Sequence, residues 1–332
     1  MFDDALTFLD SDEVFLLSTH VNADGDGLAA MVGLASMLRA LGRKYRMVIN
    51  DLELDRRYVY LDGYPEIECV AMIRDKPTFG RAVLLDTPTV SERRIGNVAD
   101  LITDDTKVLI IDHHQSEDGE GDVRLIDQGA SATSELVLRL IQAAKVEVTP
   151  EIATQIYTGI AFDTKLFKFS NPERGLKACA ELVGYGADPR EIADILFARE
   201  SYETLATLGS ALSSLHLHYA GRVASLHIEH KTYLMGGDLN PVVDHAMSID
   251  GVEVSLFFKE DVPGRHRVSL RSRGTIDVNR IARHFGGGGH RNASGCAMEL
   301  PLEEFRTALL EQVKRAMDDL VHKPADPDAS EE

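Results

Sequence analysis

Eight side chains able to bind a divalent cation or to move a proton fall into four short stretches of the first half of the chain. They are His20, Asp24 and Asp26; Asp86; Asp112, His113 and His114; and Asp163. All offer imidazole nitrogen or carboxylate oxygen and none offers thiolate. This donor set suits Mn²⁺, with Mg²⁺, Co²⁺ and Zn²⁺ as competitors. The donors outnumber the needs of one ion, so the pattern predicts two ions about 3.5–4 Å apart, bridged by a carboxylate. Sites of that kind hydrolyse phosphoesters: one ion lowers the pKa of a water, and both stabilise the displaced oxygens. Taken singly, each stretch has a plainer reading. Asn22-Ala-Asp24-Gly25 is also a turn with a helix-capping Asp, and Asp and His at a strand end are also turn residues.

The elements around these residues favour the chemical reading. Val108-Leu-Ile-Ile111 is an apolar, β-branched run that stops at Asp112, as expected of a buried parallel strand. Residues 13–20 and Arg81-Ala-Val-Leu-Leu-Asp86 repeat the pattern. Three of the four clusters therefore end strands, and ligand sites of open α/β sheets gather beyond those ends. Leu28, Met31, Val32, Ala35 and Leu38 give a helix that begins beside Asp24 and Asp26 and stops near Gly42. Asp163 closes a helix opened by Pro150. A lone carboxylate in such apolar company is expensive unless it is paired or bound to metal. Ser131-Ala-Thr-Ser134 precedes another helix and reads as its cap. Residues 51–80 carry little readable signal, and Arg93 and Arg94 read as solvated.

The whole chain has 332 residues, a formal charge of −19, 44% hydrophobic and 27% charged residues. Its length predicts about two soluble domains. The charge argues against a protein that coats long duplex nucleic acid, but not against a small phosphorylated ligand met by a local cationic pocket or a metal. No apolar run is long enough for a membrane span, and Met1-Phe-Asp-Asp-Ala has no basic stretch of the signal-peptide kind. Cys69, Cys179 and Cys296 are odd in number and far apart; they predict reduced thiols in the cytoplasm.

The texture changes after residue 218. Residues 199–218 read as a helical linker, residues 222–228 and 252–258 as strands, and Arg265-His-Arg-Val-Ser-Leu-Arg-Ser-Arg273 as a strand with Arg265, Arg267, Ser269, Arg271 and Arg273 on one face. Arg265 and Arg267 fit an ordinary solvated face; Arg271 and Arg273 are candidate phosphate contacts. A capped helix from Asp277 leads to Gly286-Gly-Gly-Gly-His290-Arg-Asn292-Ala-Ser-Gly295, read as a backbone loop that closes on a ligand. Residues 301–321 predict a final helix, and residues 323–332 an acidic, disordered tail.

The motifs His20-x3-Asp24-x-Asp26, Asp86, Asp112-His113-His114 and Thr158-Gly-Ile-Ala-Phe-Asp163 resemble the DHH phosphoesterase superfamily. Residues 269–295 resemble its DHHA1 substrate-binding domain. The resemblance implies an α/β fold: a DHH domain over residues 1–198, with a mostly parallel sheet flanked by helices, then the linker, then a smaller α/β DHHA1 domain over residues 219–322. It also implies roles. His20 and Asp24 would hold one Mn²⁺, Asp26, His113 and Asp163 the other, and Asp86 would bridge them. His114 would face the scissile phosphate, with Asp112 supporting it. Arg271, Gly287, Gly288, Gly289 and His290 would meet the nucleotide, and Arg273 and Asn292 are added as candidates.

Within the superfamily the chain is most similar to the bacterial branch that releases 5′-mononucleotides from very short oligonucleotides and dephosphorylates 3′-phosphoadenosine 5′-phosphate (pAp). Its expected partners are short oligonucleotides, pAp or dinucleotides; a homodimer is left open. The chain departs from that branch at Ala23, where Pro is usual, at Gly27-Leu-Ala-Ala30 after the second Asp, and at Phe162 and Lys165 in the last motif. Cyclic- or linear-dinucleotide hydrolysis is the alternative activity. A nucleotide sensor without turnover is the alternative of another class.

Overall fold

The computed structural model describes residues 2–74, 77–114, 120–168, 171–237 and 239–321. The expected acidic tail, residues 323–332, lies outside them, as does the first half of the loop expected over 117–122. The chain divides into two compact units, Met1–Arg199 and Glu200–Glu332.

The first unit is built on six parallel strands: β1 (Phe15–Ser18), β2 (Tyr45–Ile49), β3 (Glu68–Cys69), β4 (Arg81–Leu85), β5 (Lys107–Asp112) and β6 (Val123–Ile126). Their spatial order is β3-β2-β1-β4-β5-β6. The direction of winding therefore reverses between β1 and β4, which opens a crevice at their carboxyl ends. Helices cover the sheet: α1 (Phe2–Leu9), α2 (Gly25–Ala40), α3 (Glu92–Ile95), α4 (Thr133–Ala143), α5 (Pro150–Asp163), α6 (Pro172–Gly184) and α7 (Pro189–Phe197). Alternation along the strands divides the core. Leu17, Val83, Leu109 and Ile111 pack under α2, α4 and α5, whereas Leu16, Leu84, Val108 and Ile110 pack with Ile95 and Val98 on the opposite face. Within the poorly legible stretch 51–80, residues 56–72 hold short 3₁₀ turns and the two-residue β3, too brief for any periodicity to show.

The second unit holds α8 (Tyr202–Ser213), β7 (His216–His218), β8 (Val223–Ile228), α9 (His230–Tyr233), α10 (Asn240–Met247), β9 (Val254–Val262), β10 (Arg265–Ser272), α11 (Val278–His284), β11 (Gly288–His290), β12 (Ala293–Met298) and α12 (Leu302–Val321). Its sheet runs β11-β12-β10-β9-β8-β7, antiparallel except between β8 and β9. The stretch expected as a linker is helical only over α8. Its last residues are the edge strand β7, and α8 packs on β8 through Ala211. The glycine run is likewise not all loop, because Gly288–His290 pairs with β12 as a strand. One sheet face, with Phe258, Val268 and Leu270, is covered by α11 and α12; the other is covered by α8 and α10 near β8 and Phe257. Among the described residues no helix is long and apolar enough to cross a membrane.

Candidate metal centre

The crevice between β1 and β4 collects all eight candidate residues. His20 follows β1 by two residues, Asp86 follows β4, and Asp112 ends β5 with His113 and His114 behind it. Asp163 is the last residue of α5. Two ligand triads converge, His20–Asp24–Asp86 and Asp26–His113–Asp163, each with its donor atoms within 4.8 Å of one another. Asp86 also groups with His113 and His114, so it faces both triads. Its Oδ2 is 3.5 Å from His20 Nε2 and its Oδ1 is 3.8 Å from His113 Nε2.

The backbone sets the ligands before any ion arrives. Asp24 is the N-cap of α2 and accepts from the N–H groups of Asp26 and Gly27 at 3.0 and 3.2 Å. Asp26, wholly buried, accepts from the N–H groups of Thr133 and Ser134 at 2.7 and 3.0 Å. It thus caps α4, whose own N-cap residue, Ala132, has no side chain to do so. Thr133 Oγ1 donates to Asp86 Oδ1 at 2.9 Å. The hydroxyl run 131–134 is therefore more than a local cap: Thr133 and Ser134 orient two ligand carboxylates, which the sequence reading missed. No sequence signal marked them, since a run of hydroxyl residues before a helix is explained locally; only the structure shows that they are wholly buried. A Cβ at position 159 would collide with Ser134 Oγ and approach Asp26 Oδ1 to 2.7 Å, so Gly159 is what lets α5 close on this cap. Asp86 itself has φ 57°, left-handed for a non-glycine residue, and its N–H is held by Ile111 O at 3.0 Å. Strain of this kind persists where surrounding structure over-determines it.

Asp112 is buried and serves His114. Its Oδ1 accepts from the N–H groups of His113 and His114 and from His114 Nδ1, the last at 2.8 Å. The ring of His114 is 47% exposed, which leaves it one outward edge. The Asp112 carboxylate raises its pKa against the effect of burial.

The electrostatics call for a cation. Burial, Asp86 and Asp163 push the Asp26 carboxyl well above the usual range; burial and the neighbouring carboxylates also raise Asp163 against the pull of His113. Burial alone would lower His20, but Asp24 and Asp86 override it and raise the imidazole to about 10. His113 Nε2 and Asp163 Oδ2 lie 3.6 Å apart, buried, and neither has a hydrogen-bond partner among the described residues. Buried donors and acceptors are rarely left so, and a coordinated ion resolves both. The residues present fit divalent metal.

The other expected residues lie in the second unit. Arg271 is on β10, with Nε 3.6 Å from Asp244 on α10. Arg273 is exposed just beyond the strand. Asn292 Oδ1 accepts from Ser272 Oγ at 3.3 Å, which ties that side chain to β10. Gly287 to His290 lead into and form β11. Gly289 has φ 145°, and a Cβ there would meet Ser294 Cα at 2.7 Å; at Gly288 the nearest atom would be 4.0 Å away. The fold demands glycine at 289 and not at 288. Arg94, expected to be solvated, is half buried; its carbonyl accepts from the Val21 N–H beside His20 at 2.7 Å.

Comparison with known proteins agrees with this geometry. Residues 14–160 match the DHH family N-terminal domain, and residues 221–319 match the DHHA1 domain. The chain is 32% identical over 305 residues to a Thermus thermophilus protein named bifunctional oligoribonuclease and PAP phosphatase NrnA, covering 91% of this chain and 89% of that one. A Bacillus subtilis protein of the same name is 28% identical, covering 86% and 90%. A Bacteroides fragilis crystal structure, titled an exopolyphosphatase-related protein, superposes with a TM-score of 0.84 at 24% identity over 95% of this chain and 97% of that one, which speaks to fold.

Proposed function

Because the chain belongs to the DHH family and carries a DHHA1 domain, we propose that it is a two-metal phosphoesterase that trims very short oligonucleotides to 5′-mononucleotides and converts pAp to AMP. The observation that carries this reading is the meeting of two ligand triads at Asp86, with His113 Nε2 and Asp163 Oδ2 buried and unpartnered. Similarity to the two proteins named as oligoribonuclease and PAP phosphatase supports the substrate class.

His20 and Asp24 would hold one ion, Asp26, His113 and Asp163 the other, and Asp86 both; Mn²⁺ suits the mixed imidazole and carboxylate donors. Bound there, the metal pair supplies an activated water and charge neutralisation on the phosphoryl oxygens. The protein's own groups do the rest. Asp112 fixes His114 with Nδ1 as donor and favours its imidazolium form, whose opposite Nε2–H can donate to a phosphate. Thr133 and the backbone of α4 hold Asp86 and Asp26 in place, which removes reorganisation from the reaction step. Arg271, Gly287, Gly288, Gly289 and His290 bind the rest of the nucleotide. The three unpaired cysteines suit a reducing cytoplasm.

The test is Mn²⁺-dependent product release from pAp, the linear dinucleotide pApA, RNA and DNA of two to about twenty nucleotides, cyclic di-AMP and pyrophosphate. The wild type is compared with His113→Ala, which removes a ligand. Mononucleotides released from the shortest substrates, and lost in the variant, are expected. Preferential release from cyclic di-AMP or from long DNA would overturn the substrate assignment, and nucleotide binding without turnover would make the chain a sensor.

A further inference from the structure

The outward face of the second unit's sheet carries a cation that the readings above leave without a role. Lys259 lies on β9 directly opposite Arg267 on β10, and Ser269 and Arg271 follow at two-residue steps on the same face. Lys259 is partly buried, and its ammonium donates to Ser269 Oγ at 3.0 Å. Among the described residues no carboxylate comes within ion-pair distance of it. The nearby Asp261 is engaged by Arg265 at 3.2 Å. Burial, Arg267 and Arg271 press the lysine below its ordinary pKa. Arg267 also faces Asp261 at 4.0 Å, and the ammonium lies 5.5 Å from the centre of the Phe257 ring; a partly buried ammonium with no carboxylate of its own beside two guanidiniums is still better satisfied when an anion joins them.

The surroundings leave room for one. The rows that continue from Ser269 and Arg271 across the sheet are Gly295 with Gly288, and Ala293 with His290, so nothing larger than a methyl group rises there from β12, and His290 of β11 ends the Arg271 row. Gly288 is the glycine that the fold does not require. Along the strand, Ser269 and Arg271 are two residues or about 7 Å apart. The hydrogen bond of Lys259 brings its ammonium to the level of Ser269, so that ammonium and the Arg271 guanidinium, about one such step apart, can both reach oxygens of one phosphate set between them. Two cations and a hydroxyl match a terminal phosphomonoester, which carries about −1.5 to −2 charges at pH 7, better than a singly charged diester.

We propose that Lys259, Ser269 and Arg271 together bind the substrate phosphate that is not cleaved, and that Lys259 makes this site select a terminal phosphomonoester. The site rests on the phosphoesterase reading above and specifies which end group the substrate must present. Ser269 accepts from Lys259 and keeps its own hydroxyl hydrogen for the phosphate; Asp244 steadies Arg271 from the Nε side.

The experiment compares KM and kcat for pApA and for ApA, which lacks the 5′-phosphate, in wild type, Lys259→Met, Lys259→Arg and Ser269→Ala. Calorimetric titration of AMP and of adenosine gives a second readout independent of turnover. In wild type, pApA is expected to have a KM about tenfold below that of ApA, the scale of a charge-assisted contact. Lys259→Met should bring the two KM values within about twofold and weaken AMP about tenfold without weakening adenosine. Lys259→Arg should retain most of the preference, and Ser269→Ala should lose part of it. Equal KM values for pApA and ApA in the wild type, or an undiminished preference in Lys259→Met, would overturn the inference and leave the phosphoesterase reading standing. Loss of adenosine binding along with AMP, unrescued by Lys259→Arg, would also overturn it, as the mark of a purely structural lysine. Failure of the wild type to hydrolyse either dinucleotide would overturn the reading on which it rests.

Discussion

The two units gather opposite charge on sheets built in opposite ways. In the first, parallel strands deliver carboxylates and imidazoles to one set of strand ends, where they are buried and gripped by backbone N–H groups. In the second, a mostly antiparallel sheet displays Arg267, Arg271 and Lys259 on the open part of one face. Strand ends converge from several directions and can surround an ion; a sheet face spreads charge in a row and can meet an extended anion. In a chain of net charge −19, the contrast suits each charge to its own chemistry, the acids to metal and the cations to phosphate.

The comparison breaks most easily at Asp86, the group both triads share. Asp86→Ala should lower kcat on pAp by more than the roughly 100-fold that loss of an outer hydrogen-bonding partner costs. It should also abolish stabilisation by metal. At 100 times its Kd, a bound ion adds about 2.7 kcal/mol to stability. The wild type's unfolding temperature should therefore rise on adding Mn²⁺ and fall back on chelation. Arg271→Ala should keep that response, because its side chain belongs to the other unit. A metal response that survives Asp86→Ala, or that disappears in Arg271→Ala, would show that the division of labour is drawn wrongly.

Asp112→Asn tests the next layer. The buried carboxylate accepts three hydrogen bonds from His113 and His114, and an amide cannot accept as well or hold the same imidazole state. We expect kcat to fall about 10–100-fold with KM little changed, as for groups that orient others. A KM effect without a kcat effect, in steady-state kinetics on pAp, would move Asp112 and His114 out of the reacting centre.

The first unit was the more legible in sequence, and the reason is physical. Asp112 after Val108–Ile111 and Asp163 in an apolar helix are anomalies on their own, since burying them demands a partner. Thr133 and Ser134 were not legible as site residues, because hydroxyl residues before a helix have an adequate local explanation. That explanation fails only when Asp26, more than a hundred residues away, is seen to accept from their N–H groups. Lys259 escaped for a similar reason. Its partner Ser269 is on the next strand, and the pairing register shifts between Arg265 and His266, which no alternation within one strand reveals. The fold class followed from strand ends and helix periods, whereas the edge strands β7 and β11 are three residues each, too short to show a period.

The smallest expected effects separate two arginines that share strand parity and differ in surroundings. Arg271 lies on β10 between Ser255 and Ala293, is half buried, and is steadied by Asp244. Arg273 lies past the end of β10 and is exposed; among the described residues only its backbone N–H is engaged, by Glu253 O at 2.9 Å. A guanidinium already oriented and partly desolvated loses less freedom on meeting a phosphate, and its attraction is less screened by salt. Arg271→Ala should therefore raise KM for pAp about tenfold, on the scale of a charge-assisted hydrogen bond. Arg273→Ala should change it by less than about twofold, as exposed charges usually do. Repeating the measurement at low and high salt sharpens the distinction, because any residual effect at Arg273 should vanish at high salt while that at Arg271 persists. Equal effects at the two positions would mean that charge alone, rather than the built part of the face, recognises the substrate.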